Sequence, residues 1–152
     1  GVDRRFDFAL KNARHVMLSD YAHNPEEIRQ SILSIREVFY DRRITGVFQP
    51  HLYTRTRDFY QEFADSLSLL DEVILTEIYP ARELPIEGVS SQLIYDHLRE
   101  GMDKQLIQKN ELPDLAKTSD FDVLIILGAG DVVNFMPQLQ ETLELKEANA
   151  QA

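Results

Sequence analysis

Ile28, Ile32, Ile35 and Phe39 recur at the spacing of one helical face, and Phe59, Phe63, Leu67 and Leu70 repeat that spacing further on. Short continuous apolar runs separate such patterns: His15 to Leu18, Ile44 to Phe48, Glu72 to Ile78 and Asp122 to Leu127, with a weaker one at Gln105-Leu106-Ile107. Their length and β-branched content suit buried strands. Further helices are expected around Ser91 to Arg99, Leu112 to Lys117 and Val132 to Leu145. Buried strands alternating with helices predict an α/β fold, a Rossmann-like open, mostly parallel sheet flanked by helices. Arg4 to Phe8 is expected as an extended lead-in. The residues after Leu145 are polar and Ala-rich and are expected to fray.

Such a sheet places ligands beyond the carboxyl ends of its strands. Four polar segments follow predicted strands and so gather on that rim: DYAHNPEE (Asp20–Glu27), QPHLYTRTRD (Gln49–Asp58), the stretch Glu77–Glu87 with YPARELP, and GAGD (Gly128–Asp131). In the first, Asn24 is a good N-cap, Pro25 suits the first helical position, and Glu27 completes a capping box. That cap leaves Asp20, Tyr21 and His23 unexplained. GAGD lacks the full G-x-G-x-x-G of a dinucleotide loop and follows the last strand instead of the first. Its glycines suit a tight strand-to-helix turn.

Composition narrows the chemistry. At 152 residues the chain fits one domain, and the 43% apolar content is that of a globular protein. The charge of −10 argues against nucleic acid or anionic membrane as a partner, and no run of 18 apolar residues is present. Without cysteine there is no thiolate nucleophile, thiolate metal site or disulfide, which accords with a cytoplasmic location. Neither G-x-x-x-x-G-K-[ST] nor G-x-S-x-G occurs. The rim therefore offers cations, an acid and imidazoles, with nothing that starts chemistry unaided: half a site.

DYAHNPEE, FQPHLYTRTRDF, SLLDEVILTEIYPARELPIEGVSS and LIILGAGD resemble, in order and spacing, the carboxy-terminal domain of the Mur ligase family. GVDRRF resembles the family's entry into that domain. The resemblance places the domain at residues 1–145, with 146–152 a polar tail, and puts the amino-terminal UDP-sugar domain and the central P-loop ATPase domain outside this chain. FQPHLYTRTRD followed by IYPARE is most similar to the branch that joins L-alanine to UDP-N-acetylmuramate at the expense of ATP. The murein-peptide branch shares the DYAH-like segment. The implied cofactors are ATP and Mg2+, held mainly by the central domain; the implied partners are UDP-N-acetylmuramate, L-alanine and the chain's own missing domains. The fragment alone is expected to be inactive.

By the same resemblance, Arg5 reaches the γ-phosphate, Asp20 accepts from the ribose hydroxyls, and Tyr21 lies beside nucleotide or substrate. His23 and Arg55 orient alanine and the growing intermediate, and His51 belongs to the substrate-binding set. No residue is assigned to a metal. Ser19, Asn24 and Leu52 depart from the family pattern, which has aspartate, histidine and, in many members, arginine there. No role is carried onto them. Two other classes stay open on the residues alone: a non-catalytic nucleotide- or amino-acid-binding module, and a NAD-dependent domain suggested by GAGD.

Overall fold

The computed structural model describes residues 6–12 and 14–151. Its six strands are β1 (Asp7–Lys11), β2 (Val16–Asp20), β3 (Ile44–Phe48), β4 (Glu72–Leu75), β5 (Asp103–Leu106) and β6 (Val123–Leu127), in the spatial order β1-β2-β6-β3-β4-β5. Only the β1–β2 pair is antiparallel. The helices are α1 (Pro25–Val38), α2 (Tyr53–Leu67), α3 (Gln92–His97), α4 (Leu112–Thr118) and α5 (Met136–Gln151).

Side chains alternate across a strand, so each buried strand feeds two cores. Val123, Ile125 and Leu127 of β6 join Ile28, Ile32 and Ile35 of α1 and Phe63 and Leu67 of α2 in one cluster. Leu124 and Ile126 face the other way, onto Leu112 and Ala116 of α4 and Leu139 and Leu143 of α5. The central strand β6 is therefore apolar without interruption, the pattern that marked it in the sequence. The open, mostly parallel α/β sheet is as expected.

Several boundaries differ. The extended lead-in is a paired edge strand, β1, with a register shift between Phe8 and Leu10; Arg4 and Arg5 lie outside the described residues. The third apolar run ends as a strand at Leu75; just beyond it the Thr76 amide still donates to Phe48 O at 3.1 Å, while the Thr76 carbonyl accepts from the Ser91 hydroxyl at 2.6 Å. The run from Val132 to Leu145 is divided, with a 3₁₀ turn at Asp131–Phe135 preceding α5. Fraying after Leu145 is not what the structure has: α5 continues to Gln151, as Ala and Glu favour helix and Gln151 bonds Glu147 at 2.9 Å. Among the described residues no helix is long and apolar enough to cross a membrane.

Candidate functional site

β2 ends at Asp20, which is 5% exposed. Its carboxylate accepts the Ala22 amide at 3.0 Å and the Ser31 hydroxyl of α1, so strand end and helix are tied before the helix begins. The expected capping box is formed: Asn24 Oδ1 accepts Glu27 N at 2.9 Å, and the Glu27 carboxylate accepts Asn24 N at 3.4 Å. Tyr21 projects outward and is 77% exposed. His23 sits half-exposed with Nδ1 3.1 Å from the Tyr21 carbonyl and 3.4 Å from Glu27 Oε1.

The loop after β3 is built differently. His51 forms an isolated parallel bridge with Tyr79 and stacks on its ring, centroids 5.7 Å apart. Leu52 N donates to Tyr79 O, and Tyr79 N to Pro50 O, both at 2.8 Å. Burial, then the nearby Arg55 charge and the proximity of the His23 ring, lower the His51 pKa and favour its neutral form. Leu52, the cap of α2, has φ 73° and gives no side-chain bond to the helix. Glu83 supplies one instead, accepting Thr54 N at 3.1 Å and the Thr54 hydroxyl at 2.5 Å.

His23 and Arg55 come together across a cleft of about 590 Å³ between the start of α1 and one side of α2, which Arg29, Phe59, Glu62 and Asp65 also line. The Arg55 side chain makes no hydrogen bond or ion pair with any described residue, although three acids, Glu26, Glu62 and Asp65, share its cleft. A smaller cleft of about 360 Å³ adjoins it, lined by Asp20, Tyr21, Ala22, His23, Glu27 and Ala129. His23 borders both. Of the candidate residues, His23 and Arg55 line one cleft, Asp20 and Tyr21 the next, and His51 lies within electrostatic reach. Arg5 lies outside the described residues.

The opposite part of the rim was not foreseen. Gln49, 1% exposed, donates through Nε2 to Asp131 Oδ1 at 2.8 Å and accepts Val132 N at 2.9 Å. Lys109 pairs with Asp131 Oδ2 at 2.6 Å, and its amide donates to Glu77 at 2.8 Å. This cluster explains GAGD. Gly128 takes φ +129°, and at Gly130 a Cβ would overlap the Gln49 amide and stand 3.0 Å from Tyr79 Cβ. The glycines serve a positive φ and a close approach. A buried glutamine directly after a strand was the one signal available, since buried polar side chains must be bonded. Among the described residues, no group of three His, Asp or Glu is arranged to hold a metal ion.

An open, mostly parallel sheet with a cleft at its carboxyl edge, lined by His23, Arg29 and Arg55 together with Glu26, Glu62 and Asp65, is the architecture in which α/β domains commonly bind ligands. Residues 4–139 match the family described as Mur ligase, glutamate ligase domain, and the chain belongs to that family. It is 63% identical over 96% of its length to the UDP-N-acetylmuramate–L-alanine ligase of Phocaeicola vulgatus, and 52% identical over 94% to that of Parabacteroides distasonis. It spans about a third of those relatives, 32% and 31% of their lengths. The crystal structure of UDP-N-acetylmuramate–alanine ligase from Thermotoga maritima superposes with a TM-score of 0.71 at 29% identity, covering 96% of this chain and 30% of that one. A murein peptide ligase from Psychrobacter arcticus reaches 0.72 at 18% identity, over 92% of this chain and 30% of that one, a likeness of fold alone.

Proposed function

We propose that this chain is the carboxy-terminal domain, residues 1–145 with a short tail, of a cytoplasmic ligase that joins L-alanine to UDP-N-acetylmuramate with ATP. The 63% identity to the Phocaeicola vulgatus ligase carries the reading. In the proposed reaction the γ-phosphoryl group of ATP passes to the muramyl carboxylate, giving an acyl phosphate and ADP. The alanine amine then attacks the acyl carbon, and the tetrahedral anion collapses to the amide as phosphate leaves.

Fixed positive charge near the incoming carboxylate and the developing oxyanion accelerates such a step. Arg55 is suited to the alanine carboxylate: its planar fork has no intramolecular partner among the described residues. His23 stands on the opposite wall to orient the amine and the intermediate, with neutral His51 beside them. Asp20, its carboxylate fixed by Ala22 and Ser31, is assigned to the ribose, and Tyr21 to the face of the nucleotide or substrate. Arg5 is assigned to the γ-phosphate. Mg2+ accompanies ATP as part of the substrate and is assigned to no residue of this chain.

The test is phosphate release by the full-length protein with ATP, magnesium and UDP-N-acetylmuramate, with and without L-alanine. Release that depends on alanine is expected, and none from residues 1–152 alone. Turnover by the 152-residue chain, or a full-length protein that accepts a tripeptide and refuses alanine, overturns the proposal.

A further inference from the structure

Helix α2 begins without help from its own sequence. Its cap residue, Leu52, has no polar side chain, and φ 73° with ψ 138° is strained for a leucine. The first amides of a helix need acceptors from elsewhere. Here the acceptor is Glu83, whose carboxylate takes both the amide and the hydroxyl of Thr54 from 29 residues away in the chain.

The loop that delivers Glu83 is itself anchored. Leu52–Tyr79 and Tyr79–Pro50 backbone bonds fasten it to the segment entering α2, and the Tyr79 ring stacks on His51. Ala81 takes φ 52°, and Glu83 N donates to Pro80 O at 2.9 Å, so the chain doubles back in time to place the carboxylate. The bonds to Thr54 hold the Glu83 carboxyl below its ordinary pKa, against a small opposing effect of burial.

Arg55 is the next residue after Thr54. With no bond of its own to any described residue, its place in the cleft is set by the helix turn it stands on. A carboxylate on that turn also occupies the positive end of the helix, which leaves Arg55 and not the backbone amides to meet an incoming anion.

We propose that Glu83 is a positioning residue: from a neighbouring loop it caps the first turn of α2, holds Arg55 in the cleft, and so tunes the enzyme's grip on the amino-acid carboxylate. This rests on the assignment of Arg55 made above. Three substitutions in the full-length enzyme test it: Glu83→Ala, Glu83→Gln and Arg55→Ala, together with the Glu83→Ala/Arg55→Ala pair. Glu83→Ala should raise the KM for alanine about tenfold, the scale of a lost charge-assisted hydrogen bond, and leave the KM for ATP within about twofold. Glu83→Gln keeps an oxygen for Thr54 and should recover part of the loss. In the Arg55→Ala background Glu83→Ala should add nothing, because the two act on one contact. An unchanged alanine KM, equal effects on alanine and ATP, or losses that multiply in the pair overturn the proposal. If the unmodified enzyme shows no alanine-dependent phosphate release, the ligase reading fails and this role with it. In that event amide exchange at Thr54, accelerated by Glu83→Ala, separately reports whether the cap exists.

Discussion

Two cations stand on the same rim of the sheet in opposite circumstances. Lys109 is bound to Asp131 at 2.6 Å, and Asp131 in turn to Gln49, so the charge is spent inside the fold. Arg55 faces a cleft with no partner among the described residues. A paired, partly exposed ion pair stabilises by at most about 1 kcal/mol and offers little to a ligand. An unpaired guanidinium on an ordered helix turn contributes little to stability and much to recognition of a carboxylate. The difference separates a lock from a binding group, and each can be broken without touching the other.

The largest effect is expected on the open side. Arg55→Ala and His23→Ala in the full-length enzyme should each lower kcat/KM for alanine by roughly 10²-fold or more, about 2.7 kcal/mol of transition-state stabilisation. Thermal melts of the chain should barely move. Unfolding of either variant, with normal kinetics in what stays folded, would reverse the assignment.

On the locked side, Gly130→Ala should destabilise the chain by about 2 kcal/mol. The new methyl meets a Gln49 side chain that cannot turn away without giving up its bonds to Asp131 and Val132, and Tyr79 Cβ closes the other direction. Denaturant melts measure it; a loss below about 0.5 kcal/mol would show that the cluster yields freely. Asn24→Ala comes next, at about 1 kcal/mol for the lost cap oxygen, with only a modest change in turnover.

The smallest effect is a pH dependence. Burial acts to raise the Asp131 carboxyl, but the hydrogen bonds from Lys109 and Gln49 outweigh it and hold the group below its ordinary value. Its contribution is therefore complete above the unfolded pKa of about 4 and is lost as pH falls through the lower folded value. Asp131→Asn should lower the melting temperature near neutrality and flatten its fall below about pH 5. Parallel profiles for the variant and the parent would contradict the lock.

The two sides were also unequally legible. The apolar runs and helical repeats located the sheet and all five helices because buried strands and amphipathic faces leave a periodic record. DYAHN yielded its cap because Asn, Pro and Glu act within one helix turn of one another. The Gln49–Asp131–Lys109 cluster spans 82 residues and follows no period, so only the folded chain displays it. The Glu83 cap was hidden for the same reason, and further obscured by Leu52, which no capping rule would select. Splitting of the last helix by a 3₁₀ turn left no mark either, since Val132 and Val133 continue the apolar pattern.

The contrast between the two cations is tested most directly by measuring melting temperature and alanine-dependent kcat/KM together for Lys109→Ala and Arg55→Lys. Lys109→Ala should lower the melting temperature and leave kcat/KM within about threefold, since the pair it breaks is structural. Arg55→Lys keeps the charge but loses the planar fork, and should cut kcat/KM at least about tenfold at an unchanged melting temperature. A lysine at position 55 that works as well as arginine, or a Lys109→Ala enzyme that melts normally and fails to turn over, would contradict the division of the rim into a lock and a binding group.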